Sequence, residues 1–144
     1  MYEIIVAIAD LLLGSELSKI EKLSCDGLSA SHCLIKFMDV FIEDLTPILS
    51  FRPVTYKFYS MAFRNKAIRQ VMQRCLGQFI TIIEAVVQRG IKEGEFSGNA
   101  HQAALAIGAM LEGTLVLWVL DSETVDIEAQ LRAEMALILA GLKA

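Results

Sequence analysis

The chain has 144 residues, 55% of them hydrophobic and 21% charged, with a formal net charge of −4. That length fits one domain with a sizeable core and argues against disorder. The acidic balance excludes a chain that neutralises duplex phosphates by itself, and the apolar share exceeds the roughly 50% usual in soluble domains, so part of it asks for cover from another subunit.

The opening MYEIIVAIADLLLG has no basic n-region and no A-x-A cleavage site, so it reads as a first helix and not as a signal peptide. Gly14 is the residue expected just past its end. Ser15 then caps a short helix carrying Leu17, Ile20 and Leu23, which stops at the turn signal CDG, residues 25–27. Three cysteines (Cys25, Cys33, Cys75) give an odd count without a CxxC pair. Neither a disulfide framework nor a zinc site is expected from that, and the implied compartment is reducing and cytoplasmic. Cys33 and Cys75 read as small core residues.

After Ser29 a helix runs toward Pro47, with Leu34, Phe37, Met38, Phe41, Ile42, Leu45 and Ile48 recurring at three and four. Pro53 suits the first turn of a short aromatic-rich helix. Residues 66–92 carry the cleanest amphipathic pattern, with one wet stripe through Gln70, Gln73, Arg74, Gln78, Thr81, Glu84 and Gln88. Gly94 is placed to end that helix in the left-handed conformation. Asn99 with Gln102 has capping-box spacing and opens the next helix. Thr124 or Asp126 caps the last one, which carries Ile127, Leu131, Met135, Ile138 and Leu142. These patterns predict an all-α, single-domain bundle of about seven helices.

Residues 103–120 form a run of eighteen with a single charge, Glu112. A membrane span of that length would hold Glu112 in mid-bilayer, at a cost of a few kcal/mol, and has no flanking Lys/Arg bias. A helix apolar nearly all round is equally one covered by protein on every side. Ala104, Gly108, Leu111, Leu115 and Trp118 share one face, and Ala106, Ala109, Met110, Gly113, Leu117 and Leu120 the other. Glu112 lies on the narrow strip between them, facing either water or a cavity or interface.

Enzyme motifs are missing. GLSAS (27–31) lacks the second glycine of a nucleophile elbow, and GIKEGEFSG is not a phosphate loop. His32 and His101 have no ligand spacing, so no catalytic residue, metal or cofactor is expected. The aromatic and methionine residues on four helices fill a core or line an apolar cavity; spacing leaves both readings open.

The stretch VVQRGIKEGEFSGNAHQAALAIGAMLEGTLVLWVLD (86–121) resembles the C-terminal domain of TetR-type bacterial transcriptional regulators. The resemblance rests on Arg89-Gly90-Ile91, Glu93-Gly94-Glu95-Phe96, the capped helix from Asn99, Gly113 in mid-helix and Trp118 before an acidic turn. The final helix, ending LILAGL, is also similar. The resemblance implies an effector-binding and homodimerisation domain over 1–144. Residues 1–24 correspond to the connecting helix region, 28–92 to the pocket-forming helices, and 99–142 to two dimerisation helices that pair with their symmetry mates. The seam is then expected at Ala106, Ala109, Gly113, Leu117, Leu131 and Ile138. A small apolar or aromatic effector is expected among Phe37, Phe41, Tyr59, Met72, Phe79 and Met110. The helix-turn-helix that precedes this domain in the family is not seen in these residues, so DNA contact is expected only through such a domain. The alternative reading is a stand-alone helical dimer that captures a protein partner and binds no ligand.

Overall fold

The computed structural model describes residues 3, 4, 7, 14, 17–45, 57 and 59–144. Four helices are delimited among them: α1 (Ala30–Glu43), α2 (Lys66–Lys92), α3 (Ala100–Leu120) and α4 (Ile127–Leu142). Helical turns also occupy 17–21 and 59–62. No strand is present among the described residues, and an all-α fold is what the helical periodicities predict. Part of the expected total of about seven helices, including the turns around Pro47 and Pro53, lies outside the described residues.

Each delimited helix begins on a side chain that satisfies an otherwise unpaired backbone donor. The Ser29 hydroxyl accepts from the His32 amide, Asn65 from Ile68, Asn99 from Gln102 and Asp126 from Ala129. Such a cap stabilises a helix start by about 1 kcal/mol. The choice between Thr124 and Asp126 falls to Asp126; Thr124 instead donates to Asp121. Helix α2 ends as its sequence predicts. Gly94 has φ of 78°, its amide bonds to the Ile91 carbonyl at 3.1 Å, and the Glu95 amide reaches the Gly90 carbonyl at 2.9 Å. That is the paired hydrogen-bond pattern of a Schellman end.

One expected boundary differs. Gly14, expected just past a helix end, is itself helical. A glycine inside a helix costs only about 1 kcal/mol relative to alanine, a penalty small enough for a helical turn to carry.

Helix α3 packs between α2 and α4, and α1 packs on α2 and α4 from the other side. One core joins them, with Leu34, Ile83, Val87, Ala104, Ile107 and Leu131 almost entirely enclosed. A smaller cluster of Leu17, Val71 and Cys75 fastens the segment 17–21 to α2.

The cysteine expectation is overturned. Cys25 and Cys33 are joined in a disulfide with a Cα–Cα separation of 5.5 Å. The spacing of eight residues carries no recognisable motif. The bond exists because the CDG turn folds back against the first turns of α1, a proximity that only the tertiary structure creates. Cysteine usage therefore supplies no argument for a reducing compartment.

Candidate functional site

Two regions carry the residues that the sequence singles out, and both involve α3. This helix is apolar on all sides, yet only 33% of its most apolar eighteen-residue window is buried. Ala103, Ala104, Ile107, Gly108, Leu111 and Thr114 face the core. Leu105, Ala106, Ala109, Gly113, Val116, Leu117 and Leu120 do not; Leu117 is 55% and Leu120 75% exposed. Length and composition alone would let this helix cross a membrane. Its inner face is instead built into the core between α2 and α4, as the two-faced reading of its sequence requires.

Helix α4 repeats the arrangement. Leu131 and Met135 are buried, whereas Ala129, Ala133, Ala136, Leu137 and Ala140 form an exposed stripe at helical spacing, with Leu137 72% exposed. Of the six seam residues expected, Ala106, Ala109, Gly113 and Leu117 lie on this outer surface, and Ile138 is half-buried at its edge. Leu131 does not belong with them. At 0% exposed it fills the chain's own core, because position 131 falls on the same side of α4 as Met135, one turn on. The outer stripe of α4 runs through residues the sequence reading passed over, of which Leu137 is the largest.

Small residues on α3 separate the two faces by what surrounds them. A Cβ added at Gly108 would meet the Phe79 ring at 3.5 Å and Ile80 at 3.6 Å, an ordinary contact with α2. A Cβ added at Gly113 would meet nothing within 4 Å among the described residues. Among the described residues, Gly113 therefore packs against no neighbouring helix.

The second region is the aromatic set. Phe37 on α1 is buried in the main core, and Phe41, Phe79 and Met110, from three different helices, pack half-buried against that same core. Tyr59 is half-buried, and its hydroxyl donates to Oε2 of Glu112 on α3. Met72 is half-buried on α2 and is not a member of either core cluster. Glu112 is thus exposed on this chain, with the Tyr59 hydroxyl as its partner. Near the start of the same helix, His101 pairs with Glu84 of α2 through Nδ1 at 3.0 Å.

The motif residues 89–96 prove to be architectural. The Glu95 carboxylate accepts from the amides of Ala30 and Ser31, at 2.8 and 3.0 Å, and from the Ser31 hydroxyl. It caps the start of α1 from 65 positions away. Burial pushes the Glu95 carboxyl up, but the Ser31 and Ala30 hydrogen bonds and the nearby Arg89 cation outweigh this and hold it below its ordinary value. Arg89 also donates to the Leu28 carbonyl at 2.9 Å. Gly90 leaves room for the Phe96 ring, which would lie 2.4 Å from an added Cβ. Beyond Phe96, Ser97 donates to the Leu142 carbonyl and Ala144 to the Glu95 carbonyl, so the end of α4 is tied to the same point. Nothing in the local spacing RGIKEGEF reveals a cap on a helix sixty residues earlier; only the acidic residue beside a left-handed glycine hinted at a special turn.

Residues 41–142 match the family described as BetI-type transcriptional repressor, C-terminal. No curated protein and no solved structure matches the chain.

Proposed function

Because the chain belongs to the family of BetI-type transcriptional repressor C-terminal domains, we propose that it is the effector-sensing and homodimerising part of a bacterial, cytoplasmic regulator. Its role is regulatory and not enzymatic. Operator contact then belongs to a helix-turn-helix domain outside these 144 residues, in keeping with the net charge of −4.

One observation carries the reading: the outer faces of α3 and α4, through Ala106, Ala109, Gly113, Leu117, Leu120, Ala136 and Leu137, are apolar and uncovered on adjoining helices. A contiguous apolar surface of this kind on a soluble chain marks an association site. Two copies related by a two-fold axis cover it with one patch, since such an interface is self-complementary. The small side chains let the helices approach closely, and Leu117, Leu120 and Leu137 supply the area. The effector reading rests on Phe41, Phe79 and Met110, half-buried on three helices against one core, and on the polar pair that Tyr59 makes with Glu112. That is the composition of a small-molecule site in a helical bundle.

Sedimentation equilibrium at micromolar concentration tests the dimer: the expected mass is twice 15.9 kDa, and a monomer would overturn it. Thermal shifts with a panel of apolar aromatic compounds test the sensor. At a concentration of 100 times Kd a binder stabilises by about 2.7 kcal/mol, a shift that Phe79→Ala should abolish. A dimer with no shift from any compound would point to the stand-alone interaction module.

A further inference from the structure

The Cys25–Cys33 disulfide serves neither the outer faces of α3 and α4 nor the aromatic set. Cys33 is in the first turns of α1 with no exposed surface, enclosed with Ala30 and Leu34. Cys25 is half-buried and opens a tight turn in which the Leu28 amide bonds to the Cys25 carbonyl at 3.1 Å. Gly27, with φ of 75°, supplies the left-handed third position that a type II turn needs. The turn is also held from two helices. Lys36 of α1 donates to the Ser24 carbonyl at 2.9 Å, and Arg89 of α2 donates to the Leu28 carbonyl at 2.9 Å. Directly before it runs the helical segment 17–21, seated through Leu17 on Val71 and Cys75 and through Ile20 on the main core. One covalent bond therefore stands where the chain passes from segment 17–21 into the four-helix body.

We propose that Cys25 and Cys33 form a reversible thiol–disulfide site that exchanges with low-molecular-weight thiols of the glutathione class, and that reduction loosens segment 17–29 from α1. A disulfide in a cytoplasmic protein is characteristically transient and redox-sensing, so this regulatory meaning rests on the cytoplasmic reading above. The exchange itself does not depend on an effector or on dimerisation.

Burial sets the order of steps. In the oxidising direction the Cys25 thiolate, the accessible partner, attacks one sulfur of a glutathione disulfide. A Cys25–glutathione bond forms, the glutathione S–S bond breaks, and one glutathione thiolate leaves. The Cys33 thiolate, its proton lost to water, then attacks Cys25 Sγ and expels the second glutathione thiolate. Two protein thiols give up two electrons and two protons, and one glutathione disulfide becomes two glutathione thiols. Reduction runs the same path backwards, with external thiolate entering at Cys25 Sγ and Cys33 leaving. The Lys36 and Arg89 hydrogen bonds persist in the reduced protein, so the change is local and not global unfolding.

The test uses the full chain carrying Cys75→Ala, equilibrated in glutathione buffers from fully reduced to fully oxidised, acid-quenched, denatured and alkylated with a maleimide. Mass spectrometry should count two modified cysteines at the reducing end and none at the oxidising end, with a single reversible midpoint between. Amide exchange across 17–29 should be at least tenfold faster in the reduced protein, and its Tm lower by roughly 5–10 °C. Adding Cys25→Ser should remove both the count change and the exchange difference. Two modified cysteines at every ratio, none at any ratio, disulfide-linked pairs of chains, or exchange at 17–29 unaffected by redox state would each overturn the proposal.

Discussion

Glu95 does most to fix how the ends of the helices meet. Its carboxylate replaces the intrahelical partners that the first amides of α1 lack, and its own backbone carbonyl receives the amide of Ala144. A carboxyl held below its ordinary value near 4.5 stabilises the fold above that pH, and the contribution is lost as the pH falls through the lowered value. Glu95→Gln should therefore cost about 1–2 kcal/mol at pH 7. The gap from wild type should close as the pH drops below 4.5, read from urea midpoints at several pH values; a gap that stays constant would mean that charge is not what the cap uses. Gly90 is the second sensitive point. An alanine there gains about 1 kcal/mol of helix propensity. Its methyl, however, would sit 2.4 Å from the Phe96 ring and 2.8 Å from Ala30 Cβ, and neither can retreat from a buried position. Overpacking of this kind costs about 1–3 kcal/mol, so Gly90→Ala should lower the urea midpoint despite the better propensity.

Helices α3 and α4 are matched by a polar contact inside an apolar seam. Thr114 is 2% exposed, and its hydroxyl donates to Glu134 Oε2 at 2.6 Å, while Gln130 holds the other carboxylate oxygen at 2.8 Å. Thr114→Val keeps the shape and removes the donor, leaving a half-buried carboxylate oxygen to find water. A loss of about 1 kcal/mol is expected, and denaturation curves that superimpose on wild type would show the bond to be neutral. Gly108 behaves oppositely to Gly90. The 3.5 Å to Phe79 is ordinary van der Waals contact, so Gly108→Ala should leave stability unchanged or raise it by up to about 1 kcal/mol. The two glycines look alike in a helical pattern, and only the neighbouring ring distances tell them apart.

For the whole molecule, the deciding quantity is the apolar surface left bare on α3 and α4. Leu117 and Leu137 contribute to it and almost nothing to the chain's own core, being 55% and 72% exposed. Replacing both with Lys should leave helicity and the monomer fold intact while moving the sedimentation mass from twice to once 15.9 kDa. Burying the two charges in a self-complementary seam would cost more than such an interface gains from their neighbours. A double variant that remains dimeric would place the seam elsewhere. Gly113→Trp makes the complementary test, since nothing among the described residues lies within 4 Å of the added Cβ. It should disrupt association without destabilising the monomer.

The sequence by itself determined the all-α class, the bounds of α2, and the capping residue Asn99. It also determined the two-faced character of α3. These follow from local rules, helical periodicity and the unpaired amides at helix ends, and need no knowledge of what lies across the core. The family resemblance was likewise legible in the RGIKEGEF stretch and the helices after it. Tertiary structure alone decided that Leu131 faces inward and Leu137 outward, for α4 is weakly amphipathic and either side could have met the core. It alone put Glu95 on the amides of α1, Tyr59 on Glu112, and Cys25 against Cys33. Each of these joins residues through a fold-back whose geometry depends on how every intervening helix packs. Spacing along the chain carries no trace of such contacts, because the distance that matters to them runs through the core and not along the backbone.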